Sequence, residues 1–237
     1  MHVFVNMFMV RHVLKIDREA IAIFRDRHDK TSEFERHMWS LFATKRLDIR
    51  DVDPPLQLDE LIVLPSSGVS RLNYYNNPSR LSRLVVDFSE FVTKNTLRGK
   101  SNDVLISRRA PYMRDGSLYH PGRALRNWKE VTDELEEKEL QVRPVDFSAS
   151  RTRDILSLVR SADALVGVHG AGLVWSVFMR RGSKLFEVFG GNRGRENTHY
   201  KKIATYVDLE YDCTTVPRLH CGEECRSKMA RFIKGPG

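Results

Sequence analysis

"ALVGVHGAGLVWSVFMRRGSKLFEVF", Ala164 to Phe189, sets two apolar runs on either side of a turn-prone segment. Its first nine-residue core, Val166 to Val174, holds three glycines and one histidine among aliphatic neighbours. Glycine inside regular structure costs roughly 0.5–1 kcal/mol relative to alanine. Gly170 and Gly172 are therefore expected where the backbone turns sharply or approaches something closely. "ALVGVHG" reads as a buried strand, "AGLVWSVFM" as a short helix, and "SKLFEVF" (Ser183 to Phe189) as a second strand. Strand, turn, helix and strand in this order predict an α/β fold.

The same alternation extends outward. "DVLISRR" (Asp103 to Arg109) reads as a strand ending in two arginines, and "GRALRNWKEVTDELEEK" (Gly122 to Lys138) as a helix with charges outside. "LQVRPVDF" (Leu140 to Phe147) is a strand. "SRTRDILSLVRSAD" (Ser150 to Asp163) is a helix with Ser150 at its N-cap and Ile155, Leu158 and Val159 on one face. "HYKKIATYVDL" (His199 to Leu209) closes the series as a helix. Such alternation implies a parallel sheet covered by helices on both faces. Before residue 99 the pattern is less regular. "VFVNMFMV" near the start reads as a core strand, "DELIVLPSSG" (Asp59 to Gly68) as a strand stopped by a turn, and "SRLVVDFSEFVTKNTL" (Ser82 to Leu97) as an amphipathic helix. The expected organisation is a partial N-terminal domain with a linker helix over 1–98, a Rossmann-like domain over 99–216, and a basic, cysteine-bearing tail over 217–237 without a clear pattern.

Composition narrows the function classes. The 237 residues are 41% hydrophobic and 30% charged, an ordinary balance for a folded chain. A formal charge of +8 favours anionic partners. The basic residues are scattered and form no nucleic-acid motif with interleaved aromatics, so nucleic acid is not the expected partner. No run reaches the ~20 apolar residues of a membrane helix, and the opening lacks the features of a signal peptide. Cys213, Cys221 and Cys225 contain no C-x-x-C pair, which argues against zinc and leaves either one disulfide with a thiol left over or three free thiols.

In a doubly wound sheet, ligands bind at the carboxyl ends of the strands. Ser107, Arg108 and Arg109 follow the first strand of the regular region and Asp146 the second. His169, Gly170 and Gly172 follow the third, and Glu187, Gly190, Gly191 and Asn192 lie at or after the fourth. Glycine amides and a helix N-terminus suit a phosphate group, and Arg108 or Arg109 can grip it through forked hydrogen bonds. Glu187, at a strand end, suits ribose hydroxyls. His169 has two possible uses: donor to a diphosphate, the preferred one, or base toward an attacking hydroxyl.

"ADALVGVHGAGLVWSVFMRRGSKLFEVF" resembles the hallmark segment of glycosyltransferase family 61. "LISRRAPYMRDGSLYHPGRALRNWKEV" is similar to that family's strand-end Ser-Arg-Arg followed by an Arg and Asn entering a helix. "HYKKIATYVDLEY" resembles its Tyr-x-x-x-Ala helix and closing Tyr. The resemblance implies a GT-B-type fold, with a Rossmann-like C-terminal nucleotide-binding domain and a short or incomplete N-terminal domain. It further implies inverting transfer of a sugar, N-acetylglucosamine or xylose, from a UDP-sugar donor to a hydroxyl of a glycan or glycoprotein acceptor, without a metal or other cofactor. Arg109 and the turn of His169, Gly170, Ala171, Gly172 and Leu173 would hold the diphosphate. Arg123 or Arg126, with Asn127, would support it, Arg114 competing for that role, and Glu187 would hold the ribose. His169 and Asp87 are the catalytic candidates, with Asp59 a further candidate for the base. By resemblance the protein works in the Golgi or endoplasmic reticulum lumen, with its membrane anchor and part of its acceptor site outside this sequence. Val174 and Trp175 stand where many relatives have Thr-Asn. The alternative implied by these departures is an inactive relative that binds nucleotide or glycan without transfer.

Overall fold

The computed structural model describes Phe8 and residues 21–24, 33–43, 45–48, 78–96, 99–108, 112–114, 117–119, 124–191 and 197–235. The chain divides into two units, Met1–Asn76 and Asn77–Gly237. In the first, β1 (Ile21–Phe24) and β2 (Lys45–Asp48) pair in parallel, with helix α1 (Glu33–Ser40) between them in sequence. Parallel neighbours need such a crossover. Met38 of α1 and Phe42 just after it are buried. The strand expected at Asp59 to Gly68 lies outside the described residues. So does the one expected near the start, except Phe8, which is helical and buried.

The second unit carries the regular alternation. In chain order it contains α2 (Pro78–Thr93), β3 (Asp103–Ser107), β4 (Tyr112–Arg114), β5 (Ser117–Tyr119), α3 (Trp128–Glu137), β6 (Gln141–Val145), α4 (Thr152–Ser161) and β7 (Ala164–Val168). A 3-10 helix (Ala171–Phe178), β8 (Lys184–Gly190), α5 (His199–Val207), β9 (Glu210–Val216), a 3-10 turn (Pro217–Leu219) and α6 (Glu223–Lys234) follow. Five strands form one parallel sheet in the order β6-β3-β7-β8-β9. This is a Rossmann-like α/β arrangement. The chain leaves β3 toward one edge and then returns past it to β7, so the strand order reverses between β3 and β7. That switch point is where open sheets of this class form a ligand crevice.

The strand sequences explain the layering. β7, Ala164-Leu-Val-Gly-Val168, is buried along its whole length, as befits a strand covered on both faces. Side chains alternate between faces. Val104, Ile106, Ala164, Val166, Phe186 and Val188 share one core cluster with Val131 and Leu135 of α3 and Met229 and Ile233 of α6. Each large apolar side chain buried in this way contributes about 1.5–3 kcal/mol. On α2, Val85, Phe88 and Val92 recur at helical spacing and are buried, Phe88 against Phe178 of the 3-10 helix at 6.0 Å between ring centroids. This packing places α2 in the second unit, Asn77–Gly237.

Residues 217–235, in the segment expected to be a patternless tail, add to the sheet's cover. Cys221 and Cys225 form a disulfide, Cys213 stays free, and Met229, Ala230 and Ile233 are buried. Lys228 Nζ reaches Asp212 Oδ1 at 2.9 Å and Lys184 Nζ reaches the Ile233 carbonyl at 2.9 Å, tying α6 to β9 and β8. β9 and the β4–β5 hairpin are likewise additions to the expected elements. Asp115-Gly116, between the paired Arg114 and Ser117, is a strong sequence signal for a hairpin. The expected N-cap at Ser150 shifts to Arg151.

β6 is an edge strand with Pro144 in it. The Arg108 amide donates to the Val145 carbonyl at 2.8 Å, so Val145 faces β3 and its neighbour Pro144 faces outward. The missing N–H of proline thus falls on the free edge, where no ladder bond is lost.

Gly167 marks a close approach within the sheet. A Cβ there would lie 2.8 Å from Leu173 Cδ2 and 2.9 Å from Ser107 Cβ. Ser107 Cβ is fixed by its own backbone and cannot swing away. Gly167→Ala is expected to destabilise the protein by about 1–3 kcal/mol, the usual cost of overpacking, read as a lower denaturant midpoint at unchanged m-value.

Candidate functional site

The carboxyl edge at the switch point is built from the ends of β3 and β7. Ser107 closes β3, and Arg108 follows it, exposed, with its guanidinium 4.5 Å from the Trp128 ring centroid. Beyond β7, the His169 amide donates to the Val188 carbonyl at 2.9 Å and so extends the ladder by one residue. The chain then turns at Gly170 into the 3-10 helix, whose first bond runs from the Leu173 amide to the Gly170 carbonyl at 3.0 Å. The Ala171 and Gly172 amides precede that bond, at the helix end where the peptide dipoles favour an anion. The Tyr200 hydroxyl of α5 also donates to the Gly170 carbonyl, at 2.5 Å. Gly172 is needed for a close approach, but to Ser107: a Cβ there would lie 2.5 Å from Ser107 Oγ.

A buried polar chain runs behind this turn. Glu187 of β8 is fully buried. Its Oε1 lies 2.5 Å from His169 Nδ1, and its Oε2 accepts from the Tyr211 hydroxyl of β9 at 2.6 Å. Burial pushes the Glu187 carboxyl above its ordinary range, and its hydrogen bonds to Tyr211 and His169 oppose that shift only in part. Burial also raises the Tyr211 phenol, reinforced by the neighbouring carboxylate. His169 is about a quarter exposed, stacks on Phe189 at 5.2 Å and meets the edge of Tyr200 at 5.4 Å. Its Nε2 lies 3.0 Å from Asn197 Nδ2. Next to Tyr200, His199 is held below its usual range chiefly by burial, with the positive charge of Lys202 adding to the effect.

The structure thus gathers Arg108, His169, Gly170, Ala171, Gly172 and Glu187 at one edge, and gives several expected residues internal work. Glu187 has protein partners at both oxygens and no exposed surface, an arrangement that orients His169 instead of presenting a carboxylate to ribose. Leu173 is fully buried against Gly167 and its amide is used within the helix. Asn127 clamps the Cys221 backbone, donating to its carbonyl and accepting from its amide, each at 2.9 Å. Arg126 is exposed, and its amide donates to the Leu219 carbonyl. Asp87 lies on α2, 4.0 Å from Arg83 one turn earlier. Asp146 closes its own turn by accepting from the Ser148 amide and hydroxyl. Trp175 is buried against Phe147 and Phe178, so the residue at this departure from the family pattern serves packing. Arg109, Arg123 and Asp59 lie outside the described residues, and the side chain of Arg114 is not described either.

Three contributors were not singled out as site residues: Asn197, Tyr211 and Tyr200. Asn197 carried a local signal, since an Asn two residues before a helix residue commonly accepts from that residue's amide, as Asn197 Oδ1 does from His199 at 3.1 Å. Tyr200 and Tyr211 stood in the family-like segment as its Tyr-x-x-x-Ala tyrosine and its closing Tyr, but no site role was attached to them because β9 was not foreseen.

The family model described as Glycosyltransferase 61 matches residues 1–186, more than three quarters of the chain. No curated protein matches it.

Two measurements check these assignments. Glu187 has a raised carboxyl pKa in the folded state, so its contribution is fully present below the unfolded value and is lost as pH rises through the folded one. The stability of the parent relative to Glu187→Gln should therefore fall as pH increases from acid toward neutral, in paired thermal melts; a constant difference contradicts the assignment. Asn127→Ala leaves the Cys221 amide and carbonyl without partners, and should cost about 1–3 kcal/mol in denaturant unfolding.

Proposed function

The chain belongs to glycosyltransferase family 61, and from that premise we propose that it transfers N-acetylglucosamine or xylose from a UDP-sugar to a hydroxyl of a glycan or glycoprotein, inverting the anomeric centre. The family match carries this reading, and the switch-point crevice supports it. The diphosphate lies at the Ala171 and Gly172 amides, gripped by Arg108 or Arg109. As UDP departs, negative charge grows on its terminal phosphate, and fixed donors aimed at that charge lower the barrier. No divalent ion is required for this role. Each unit contains parallel strands joined through a helix, in keeping with a GT-B arrangement. The Cys221–Cys225 disulfide suits an oxidising compartment, in keeping with the Golgi or endoplasmic reticulum lumen. No described helix is long and apolar enough to cross a membrane.

Calorimetric titration with UDP, with GDP as control, tests the nucleotide site. Selective UDP binding is expected, and Arg108→Ala or Arg109→Ala should weaken it about tenfold or more, on the ~1.5–3 kcal/mol scale of hydrogen bonds to charged groups. Transfer of labelled sugar from UDP-N-acetylglucosamine or UDP-xylose to a glycan then distinguishes an active enzyme from a relative that binds without turnover. A well-folded chain that ignores UDP overturns the proposal.

A further inference from the structure

We propose that Glu187, Tyr211 and Asn197 are positioning residues that hold His169 as its Nδ1–H tautomer, so that a ligand at the carboxyl edge meets an Nε2 lone pair and is received there through a hydroxyl hydrogen instead of a phosphate oxygen. The ligand's identity rests on the nucleotide-sugar reading above; the tautomer does not.

The direction of every bond in the chain is set by one group that cannot reverse. The His199 backbone amide is a donor only, and it lies 3.1 Å from Asn197 Oδ1. That contact identifies the oxygen of the Asn197 amide and leaves its NH2 to face His169, 3.0 Å from Nε2. An NH2 group has hydrogens and no acceptor to offer, so Nε2 must present its lone pair. Neutral imidazole carries one N–H, which is then on Nδ1 and points at Glu187 Oε1, 2.5 Å away. Glu187 Oε2 takes the Tyr211 hydroxyl hydrogen at 2.6 Å, so both oxygens of the carboxyl act as acceptors.

The surroundings keep the ring in this pose. Phe189 stacks on it at 5.2 Å and Tyr200 meets it edge-on at 5.4 Å, so rotation about χ2 is opposed on two sides. The groups facing His169 come from β8 (Glu187, Phe189) and α5 with the residues before it (Asn197, Tyr200, and His199 against Tyr200). Of these contacts, only the one with Asn197 lies on the exposed side. A ligand that displaces the Asn197 amide must supply a hydrogen to the same lone pair. A ribose or sugar hydroxyl does so; a fully ionised phosphate oxygen does not. This reverses the donor role that the sequence favoured for His169 and leaves the diphosphate to the arginines and backbone amides.

Imidazole nitrogen NMR on the full chain labelled with 15N-histidine reads the tautomer directly, with the His169 signals assigned by their loss in His169→Gln. At neutral pH and without ligand, a pyrrole-type Nδ1 and a pyridine-type Nε2 are expected. An Nε2–H tautomer, or a doubly protonated ring, overturns the proposal. Asn197→Asp, an exposed change that sets a carboxylate before Nε2, should bring a proton onto that nitrogen; an unchanged signature removes Asn197 from the positioning set. On saturation with UDP, Nε2 should remain pyridine-type, and the appearance of an Nε2–H would restore the phosphate-donor role and refute the hydroxyl one. If UDP fails to bind while the free chain shows the Nδ1–H form, the nucleotide reading falls and the tautomer assignment stands.

Discussion

A carboxyl group in the middle of a parallel sheet is expensive to bury unless its oxygens are satisfied, and Glu187 is that group here. Its two partners come from either side, His169 from the end of β7 and Tyr211 from β9, so three adjacent strands are joined laterally by side chains as well as by backbone. The arrangement works in one register only. Glu187 sits opposite Gly167 on β7 and opposite Cys213 on β9. A slip of one residue would carry Glu187 to the other face, into the apolar cluster shared by β3, β7, β8, α3 and α6. Satisfying one charge thus fixes the alignment of half the sheet.

That alignment in turn determines what the crevice can present. Gly167 and Gly172 let the 3-10 helix settle on Ser107, which brings the amides after β7 beside the arginine after β3. The groups suited to an anion and the ring suited to a hydroxyl therefore occupy one edge, yet are supported differently. Arg108 stands exposed on Trp128, whereas His169 is braced from behind by buried partners. Adaptable grip at one end and fixed geometry at the other would suit the nucleotide-sugar proposed for this site.

Most of the sheet was legible because its central strands are short apolar runs punctuated by glycine and polar turns, and buried parallel strands have just this signature. β3, β6, β7 and β8 appear where the pattern puts them, as do α4 and α5. The misses share a cause. β9, Glu210 to Val216, is an edge strand with Tyr211, Asp212 and two threonines, and its strand character comes from pairing with β8 instead of from apolar periodicity. α6 is charged on most of its surface and buries only a narrow stripe, so its helix is evident only against the core that receives it. At the site, residue type revealed which positions were chemical but not which way they faced. Glu187 and Asn127 carry polar groups suited to a ligand and spend them on the protein, a choice made by tertiary contacts many residues away.

The outer strand of the sheet has a consequence for how copies of this protein behave beside one another. β6 offers the only described edge on its side, and an unprotected parallel edge is a template for another chain to add to. Here one outward-facing position is Pro144, which has no hydrogen to give, and the exposed Arg143 stands next to it. An incoming strand would lose a bond at that position and would have to accommodate a positive charge next to it. The same residue that costs the sheet nothing internally therefore discourages self-association from that side.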